Sequence, residues 1–350
     1  MSNLERDPQE RECGGGVDVV TPYPPTDPHT DPVRELITGY QVALGGPRGL
    51  EVTRTLPTRG RRMVGAWCFV DHYGPLDLDG SAGMRVAPHP HTGLQTVSWL
   101  VTGEILHRDS LGSLQVVRPG ELNLMTAGRG ISHSEESVLD GAASGPGRPR
   151  LHGVQLWVAL PSAAVPGAGA GGAEKVQAPA FAHHADLPAW SQDGVTTTVV
   201  MGSLAGRTSS AQTFSPLVGA ELSLEPGATA RVPLEPGFEH AVLCLSGSVE
   251  VAGGPLAPGP LLYLGTGRRD LDVAASGGPA RLLLIGGEPF EERIVMWWNF
   301  VGRSHDDVAQ ARADWEESAD RFGTVVGYDG APLRAPALPA TRLKSRGREA

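Results

Sequence analysis

The chain has 350 residues and a formal charge of −10, with 47 Gly, 30 Pro and only three Cys. That length accommodates two domains with ordinary cores. Binding to nucleic acid or to a membrane is not expected. Phosphate neutralisation needs clustered Lys and Arg, which are absent before the C-terminal end, and no apolar run approaches the ~20 residues of a membrane helix. Met1 to Arg11 is charged and lacks an apolar core, so no secretory signal is expected. Cys13, Cys68 and Cys244 are far apart and form no CxxC pair. A disulfide framework is therefore not expected, and a reducing cytoplasm is the simplest compartment.

Residues 1–35 are rich in Pro, Asp and Thr and carry little that could build a core, so they are expected to form a disordered arm. Short apolar runs punctuated by Gly and Pro then fill residues 36–160, the pattern of many strands joined by many turns. Gly141–Arg150 reads as a surface loop. Pro161–Gly172 falls in a linker placed at 161–190. A second strand-rich unit follows at 191–302. Next comes a helix at 303–322, where Val308, Ala311, Trp315 and Ala319 recur at spacings of three and four behind Ser304 as N-cap. Residues 323–350 end in Arg342, Lys344, Arg346 and Arg348, a short basic tail expected to be solvated and disordered.

The two strand-rich units echo each other. Trp99-Leu-Val-Thr-Gly103-Glu-Ile105 aligns with Leu243-Cys-Leu-Ser-Gly247-Ser-Val249. Pro119-Gly120-x-Leu122-x-Leu124 aligns with Pro258-Gly259-x-Leu261-x-Tyr263, at an offset smaller by five residues. Each unit reads as one barrel of antiparallel strands, built twice.

The chemistry concentrates in Pro88-His89-Pro90-His91-Thr92-Gly93-Leu94-Gln95 and, some forty residues on, in His133-Ser134-Glu135. In extended backbone, residues i and i+2 share a face, so each pair projects together. Pro88 and Pro90 lack backbone donors and place their strand at an edge. Three imidazoles and a carboxylate suit Fe(II), Ni(II), Cu(II), Mn(II) or Zn(II), with zinc less favoured by a mixed, open set. Gln95 is expected on the same face as His89 and His91. The serines of this region have no accompanying base and acid, which argues against a serine hydrolase.

His89-Pro-His91-x-Gly93, Gly103-Glu-Ile-x-His107-Arg-Asp-Ser-Leu-Gly112 and Met125-Thr-Ala-Gly-Arg-Gly-Ile-x-His133-Ser-Glu135 together resemble the pirin family of bicupins. The resemblance spans most of residues 36–320. It implies an all-β chain of two cupin (double-stranded β-helix) barrels in tandem with a C-terminal helix. It also implies one metal ion, usually iron, in the first barrel on His89, His91, His133 and Glu135. Activity of quercetin 2,3-dioxygenase type on a flavonol-like aromatic is implied by some members. A metal- or redox-dependent regulatory role, with a transcription factor or metabolic enzyme as partner, is the alternative implied by others. Two positions depart from the family: Thr92 where Arg is common and Gln95 where Glu is common. An amide cannot act as a base, so that duty would fall to Glu135 or to no residue.

Carried through the repeat, the four ligand positions become Pro233, Glu235, Asp272 and Ala274, so the second barrel is expected to bind no metal. His240 aligns with Thr96 and is expected on the face opposite the ligands, in a structural role. His107 is expected in a hydrogen-bonded loop, His72 in a turn, and His183 and His184 exposed without partners.

Overall fold

The computed structural model describes residues 33–44, 50–78, 83–139, 150–164 and 177–348. The expected arm therefore lies almost wholly outside the described residues, as does most of the Gly141–Arg150 loop. The first half holds β1 (Glu35–Ile37), β2 (Tyr40–Leu44), β3 (Leu50–Leu56), β4 (Trp67–Asp77), β5 (Arg85–His91), β6 (Leu94–Thr102), β7 (Ile105–Asp109), β8 (Leu114–Val117), β9 (Leu122–Thr126), β10 (Ile131–Ser137) and β11 (Arg150–Ala159). The second half continues with β12 (Ala180–His184), β13 (Ala189–Gln192), β14 (Val195–Leu204), β15 (Arg207–Thr208), β16 (Leu217–Leu224), β17 (Thr229–Pro233), β18 (Glu239–Ser246), β19 (Val249–Val251), β20 (Gly254–Leu256), β21 (Leu261–Gly265), β22 (Asp270–Ala275) and β23 (Ala280–Gly287). A hairpin of β24 (Val295–Trp297) and β25 (Phe300–Gly302) and the helix α1 (His305–Glu316) follow.

The duplication read from the sequence is a duplication of topology. The large sheet of the first barrel runs β12-β9-β6-β11-β4-β3-β2, and that of the second runs β1-β21-β18-β23-β16-β14-β13. The smaller facing sheets run β5-β10-β7-β8 and β17-β22-β19-β20. Position for position the orders correspond, and every named strand pair is antiparallel, as a pair of cupin barrels requires. Inner and outer residues alternate along the strands. In β7, Ile105, His107 and Asp109 are buried while Leu106 and Arg108 are half-buried.

The outermost strands of the large sheets cross the expected boundaries. β12 lies within the stretch expected as a linker, yet it pairs with β9 and completes the first barrel. β1, at the edge of the expected arm, pairs with β21 of the second barrel. Both segments are short and only weakly patterned, but each covers a sheet edge that would otherwise expose unpaired amides.

The barrels meet along their large sheets. Val97, Trp99 and Leu156 from the first pack in one apolar cluster with Leu243, Leu283 and Ile285 from the second. Polar groups are matched across this seam. Trp67 Nε1 donates to the Gly286 carbonyl at 3.0 Å, and the Gly65 amide donates to Glu239 Oε2 at 2.8 Å.

Helix α1 is capped as its sequence suggests. Ser304 Oγ accepts from the Asp307 amide, and the Asp307 carboxylate accepts from the Ser304 amide. The helix stops at Glu316, short of the expected 322, and a single 3-10 turn at Asp320–Phe322 continues the chain. The tail is not disordered through residue 348. Ala335 and Leu343 are buried against Trp297 and Phe300. Arg346 exchanges two backbone hydrogen bonds with Ile294, and Arg342 pairs with Asp306. Ala335 and Leu343 lie in a Pro- and Arg-interrupted stretch with no helical or strand period, so no pattern marks them. Among the described residues no helix is long and apolar enough to cross a membrane.

Candidate metal centre

The smaller sheet of the first barrel turns one face inward, and that face carries the expected residues. Antiparallel pairing sets His133 opposite His89 on β5 and opposite Asp109 on β7, and Glu135 opposite His107. Opposed residues share a face, so these side chains form two adjacent rows. As anticipated from its prolines, β5 is an edge strand of this sheet. Its open side is met by the tail, where the Leu333 amide donates to the Pro88 carbonyl at 2.8 Å.

His89, His91 and His133 bring ligand nitrogens within 4.8 Å of one another, and all three are buried. His91 Nε2 and His133 Nε2 are 3.1 Å apart. Glu135, also buried, belongs to a second such group with His107 and His133. The four expected residues thus meet through His133, and His107 joins them. Ser98 Oγ on the facing sheet lies 3.2 Å from Glu135 Oε1 and 3.0 Å from Gln155 Oε1. Its single proton can serve one of them at a time. Trp157 stands edge-on to His91 at 5.2 Å and stacks on Phe69 at 4.0 Å, forming an apolar wall.

The protonation states suit a cation. Burial holds His89 down at about 4 and keeps His91 and His133 well below the usual imidazole range, so all three are neutral at physiological pH. Neutral imidazole is the form that ligates. His89 Nδ1 lies 2.8 Å from the Ala87 carbonyl, which can only accept, so Nδ1 carries the proton. Its Nε2 is then a bare lone pair, buried and without a hydrogen-bond partner. A buried nitrogen of this kind is costly unless something binds it. The donor set therefore fits a divalent ion.

Several sequence expectations are corrected. Gln95 does not share the ligand face. Gly93, with φ +70°, turns the chain between β5 and β6 and resets the alternation; a Cβ there would sit 2.2 Å from the Val301 carbonyl oxygen. Gln95 instead points into the seam between barrels, where Nε2 donates to Thr126 Oγ1 at 3.0 Å and to the Gln212 carbonyl at 3.1 Å. The difference between Gln and Glu at this position therefore has no bearing on a base at the site. The same reset puts Thr96 on the inner face. Its counterpart His240 is fully buried, alternating with the seam residue Ala241.

His107 is in a strand, stacked on Phe181 at 4.4 Å. Its i+2 relation to Asp109, combined with the pairing to β10, was the missed signal. His72 lies in β4, 2.9 Å from His152 through the Nε2 atoms. His183 and His184 are half-buried and bonded to Asn123 and Ser210. In the second barrel the carried-over carboxylates face outward: Glu235 and Asp272 are exposed, and Asp272 pairs with Arg231 at 2.8 Å. The inward positions are apolar, with Val232, Leu271 and Val273 buried.

Two barrels of this topology, with imidazoles and a carboxylate gathered inside the first, define a bicupin. Residues 49–158 match the pirin family model, and residues 219–323 match the pirin C-terminal cupin domain. The chain belongs to the pirin family. A Pseudomonas aeruginosa protein provisionally named quercetin 2,3-dioxygenase is 46% identical over 303 residues, covering 87% of this chain and 90% of that protein. A pirin-like protein of Caulobacter vibrioides is 40% identical over 271 residues, covering 76% and 88%. The crystal structure of quercetin 2,3-dioxygenase from Acinetobacter baumannii superposes with a TM-score of 0.79 at 39% identity, covering 89% of this chain and 97% of that one.

Proposed function

We propose that this chain is a non-haem metal dioxygenase of quercetin 2,3-dioxygenase type, acting on a flavonol-like aromatic. His89, His91, His133 and Glu135 hold one divalent ion, with Fe(II) as the preferred occupant and Ni, Cu, Mn or Zn able to fit the same set. The single observation that carries the reading is the meeting of three neutral, buried imidazoles and a carboxylate on one inner sheet face. Relatives that bear the quercetinase name supply the substrate class.

When bound, the ion supplies Lewis acidity toward a substrate hydroxyl and a redox partner for O2. The chain's own part is positional and acid–base. The Ala87 carbonyl fixes the His89 tautomer. Glu135 is the base for the flavonol hydroxyl, with Ser98 Oγ set beside it. Trp157 and Phe69 give the apolar wall that a planar aromatic requires.

The test is anaerobic addition of quercetin to the Fe(II)-loaded protein, followed by O2. Loss of the flavonol absorption band with release of CO is expected, and His133→Ala should abolish both along with metal retention. A wild-type protein that retains iron but consumes no O2 and releases no CO would overturn the dioxygenase reading. Unchanged metal content in the His133→Ala protein would overturn the ligand set.

A further inference from the structure

The four proposed ligands leave two buried residues of the same face without a role, His107 and Asp109. Asp109 Oδ1 accepts from the Leu111 amide at 2.9 Å and the Ser113 amide at 3.0 Å. Its Oδ2 lies 3.2 Å from His107 Nε2. An ionised carboxylate only accepts, so the proton between them sits on His107 Nε2. Carrying that proton alone, His107 would present Nδ1 as a lone pair. That atom is 3.4 Å from His133 Nδ1. A lone pair there calls for a donor opposite, so His133 carries its proton on Nδ1. His133 Nε2 is then bare, and it is the atom that lies 3.1 Å from His91 Nε2 in the three-imidazole group.

We infer that Asp109 and His107 form a relay that holds His133 in the Nδ1–H tautomer and so presents its Nε2 lone pair to the ion. His107 and Asp109 are positioning residues in this arrangement, acting through His133. The stack of His107 on Phe181, with ring planes 15° apart, keeps the imidazole from rotating out of line. The usual outer partner of a ligating imidazole is a carboxylate, a carbonyl or water. Here a second imidazole is interposed, and the tautomer is set two residues away from the ion. The inference rests on the metal-centre reading for its consequence, but the tautomer itself exists without any ion.

The near-isosteric Asp109→Asn variant tests the direction of the relay. The Leu111 and Ser113 amides require an oxygen at Oδ1, so the new amide nitrogen faces His107 Nε2 and donates to it. His107 must then carry its proton on Nδ1, and His133 is driven to the Nε2–H tautomer. Ring 15N chemical shifts of the metal-free protein should place the His133 proton on Nδ1 in wild type and on Nε2 in Asp109→Asn. Zn(II) affinity, measured by competition with a chromophoric chelator, should fall about 10- to 100-fold in the variant. His107→Gln should stay within about threefold of wild type, because its amide can accept from His133 and donate to Asp109. His107→Phe keeps the stack but offers no acceptor, and should weaken binding as Asp109→Asn does. These two variants carry the test if Asp109→Asn does not fold.

A wild-type His133 protonated on Nε2, or equal Zn(II) affinity in wild type, Asp109→Asn and His107→Phe, would overturn the relay. A wild-type protein with the His133 proton on Nδ1 but no Zn(II) binding would instead overturn the metal-centre reading while leaving the tautomer assignment standing.

Discussion

Gln95 Nε2 donates to the carbonyl of Gln212 at 3.1 Å, joining a buried side chain of the first barrel to the second. The same nitrogen donates to Thr126 Oγ1. Replacement by glutamate puts an acceptor where a donor is needed and leaves the Gln212 carbonyl facing an anion. Gln95→Glu is expected to destabilise the protein by about 1–3 kcal/mol, as for a buried group deprived of its partner. Metal content should be unchanged, because position 95 faces away from His89 and His91. Urea unfolding and metal analysis of the same preparation check both parts. A variant that lost its metal while keeping its stability would return position 95 to the ligand face.

Acid should weaken the fold through buried histidines. Burial holds His72 at about 4, helped by its neighbour His152, and holds His240 at about 4. His152 is lowered as well, chiefly by burial and then by Arg281. In the unfolded chain these imidazoles titrate at the ordinary 6.5, so between about 4 and 6.5 the unfolded state binds more protons. Their contribution is fully present above 6.5 and is lost as pH falls toward 4. Denaturant midpoints measured from pH 7.5 to 4.5 should decline over that window, and His240→Asn should flatten the decline. An unchanged pH profile in that variant would remove His240 from the account.

The tail offers a sharp contrast between two of its side chains. Leu343 is buried among Trp297, Phe300 and Val308, whereas Arg342 meets Asp306 in an ion pair that is mostly exposed on both sides. Leu343→Ala should cost about 2 kcal/mol by the usual price of a buried leucine. Arg342→Ala should cost less than about 0.5 kcal/mol, since solvent screens such pairs. If the two variants unfolded at the same denaturant concentration, the tail would not be part of the cooperative core.

What the sequence disclosed and what it withheld follow one rule. Local alternation is legible, so the sequence itself sets His89 with His91 and His133 with Glu135 on shared faces. The turn signals around Pro119-Gly120 and Pro258-Gly259 exposed the repeat. Strand pairing is not legible from one chain, and most of the misplaced residues depend on it. His107 enters the site because Glu135 lies opposite it. Gln95 leaves because the turn at Gly93 resets alternation. Asp272 and Glu235 come from carrying the repeat offsets past the matched segments and fall one residue out of step: strand pairing sets Leu271 and Val273 where His133 and Glu135 stand, and a slip of one exchanges inside for outside. β1 and β12 are short edge strands whose partners lie far away in the chain, so nothing local marks them.

The described cysteines should be inert. Burial pushes the Cys68 thiol up to about 12 and the Cys244 thiol up to about 11. The thiolate is the reactive form, so neither is populated for attack at neutral pH. Mass mapping after treatment with a thiol reagent should find both unmodified in native protein and both labelled in denaturant. Labelling of Cys68 at the native rate of a free thiol would mean that β4 opens readily.

Trp99 and Glu221 provide the seam's most exacting polar contact. Trp99 Nε1 donates to Glu221 Oε2 at 2.6 Å, and Arg281 reaches the other carboxylate oxygen at 3.2 Å. Burial raises the pKa of Glu221 above the usual carboxylate value, opposed by Arg281 and by the indole donor. Trp99→Phe keeps most of the apolar contact but strands one carboxylate oxygen, so a loss of about 1.5–3 kcal/mol is expected. Glu221→Gln removes the charge, and its amide can still present an oxygen either to the indole or to Arg281. The loss on Trp99→Phe should therefore be smaller in a Glu221→Gln background. A double-mutant cycle by urea unfolding gives the coupling directly, and a coupling energy of zero would show that the indole and the carboxylate contribute independently. A substantial coupling ties the two barrels energetically, because the donor belongs to β6 and the acceptor to β16. The first barrel, which holds the metal-centre residues, would then be stabilised in part by the apolar second barrel through this contact.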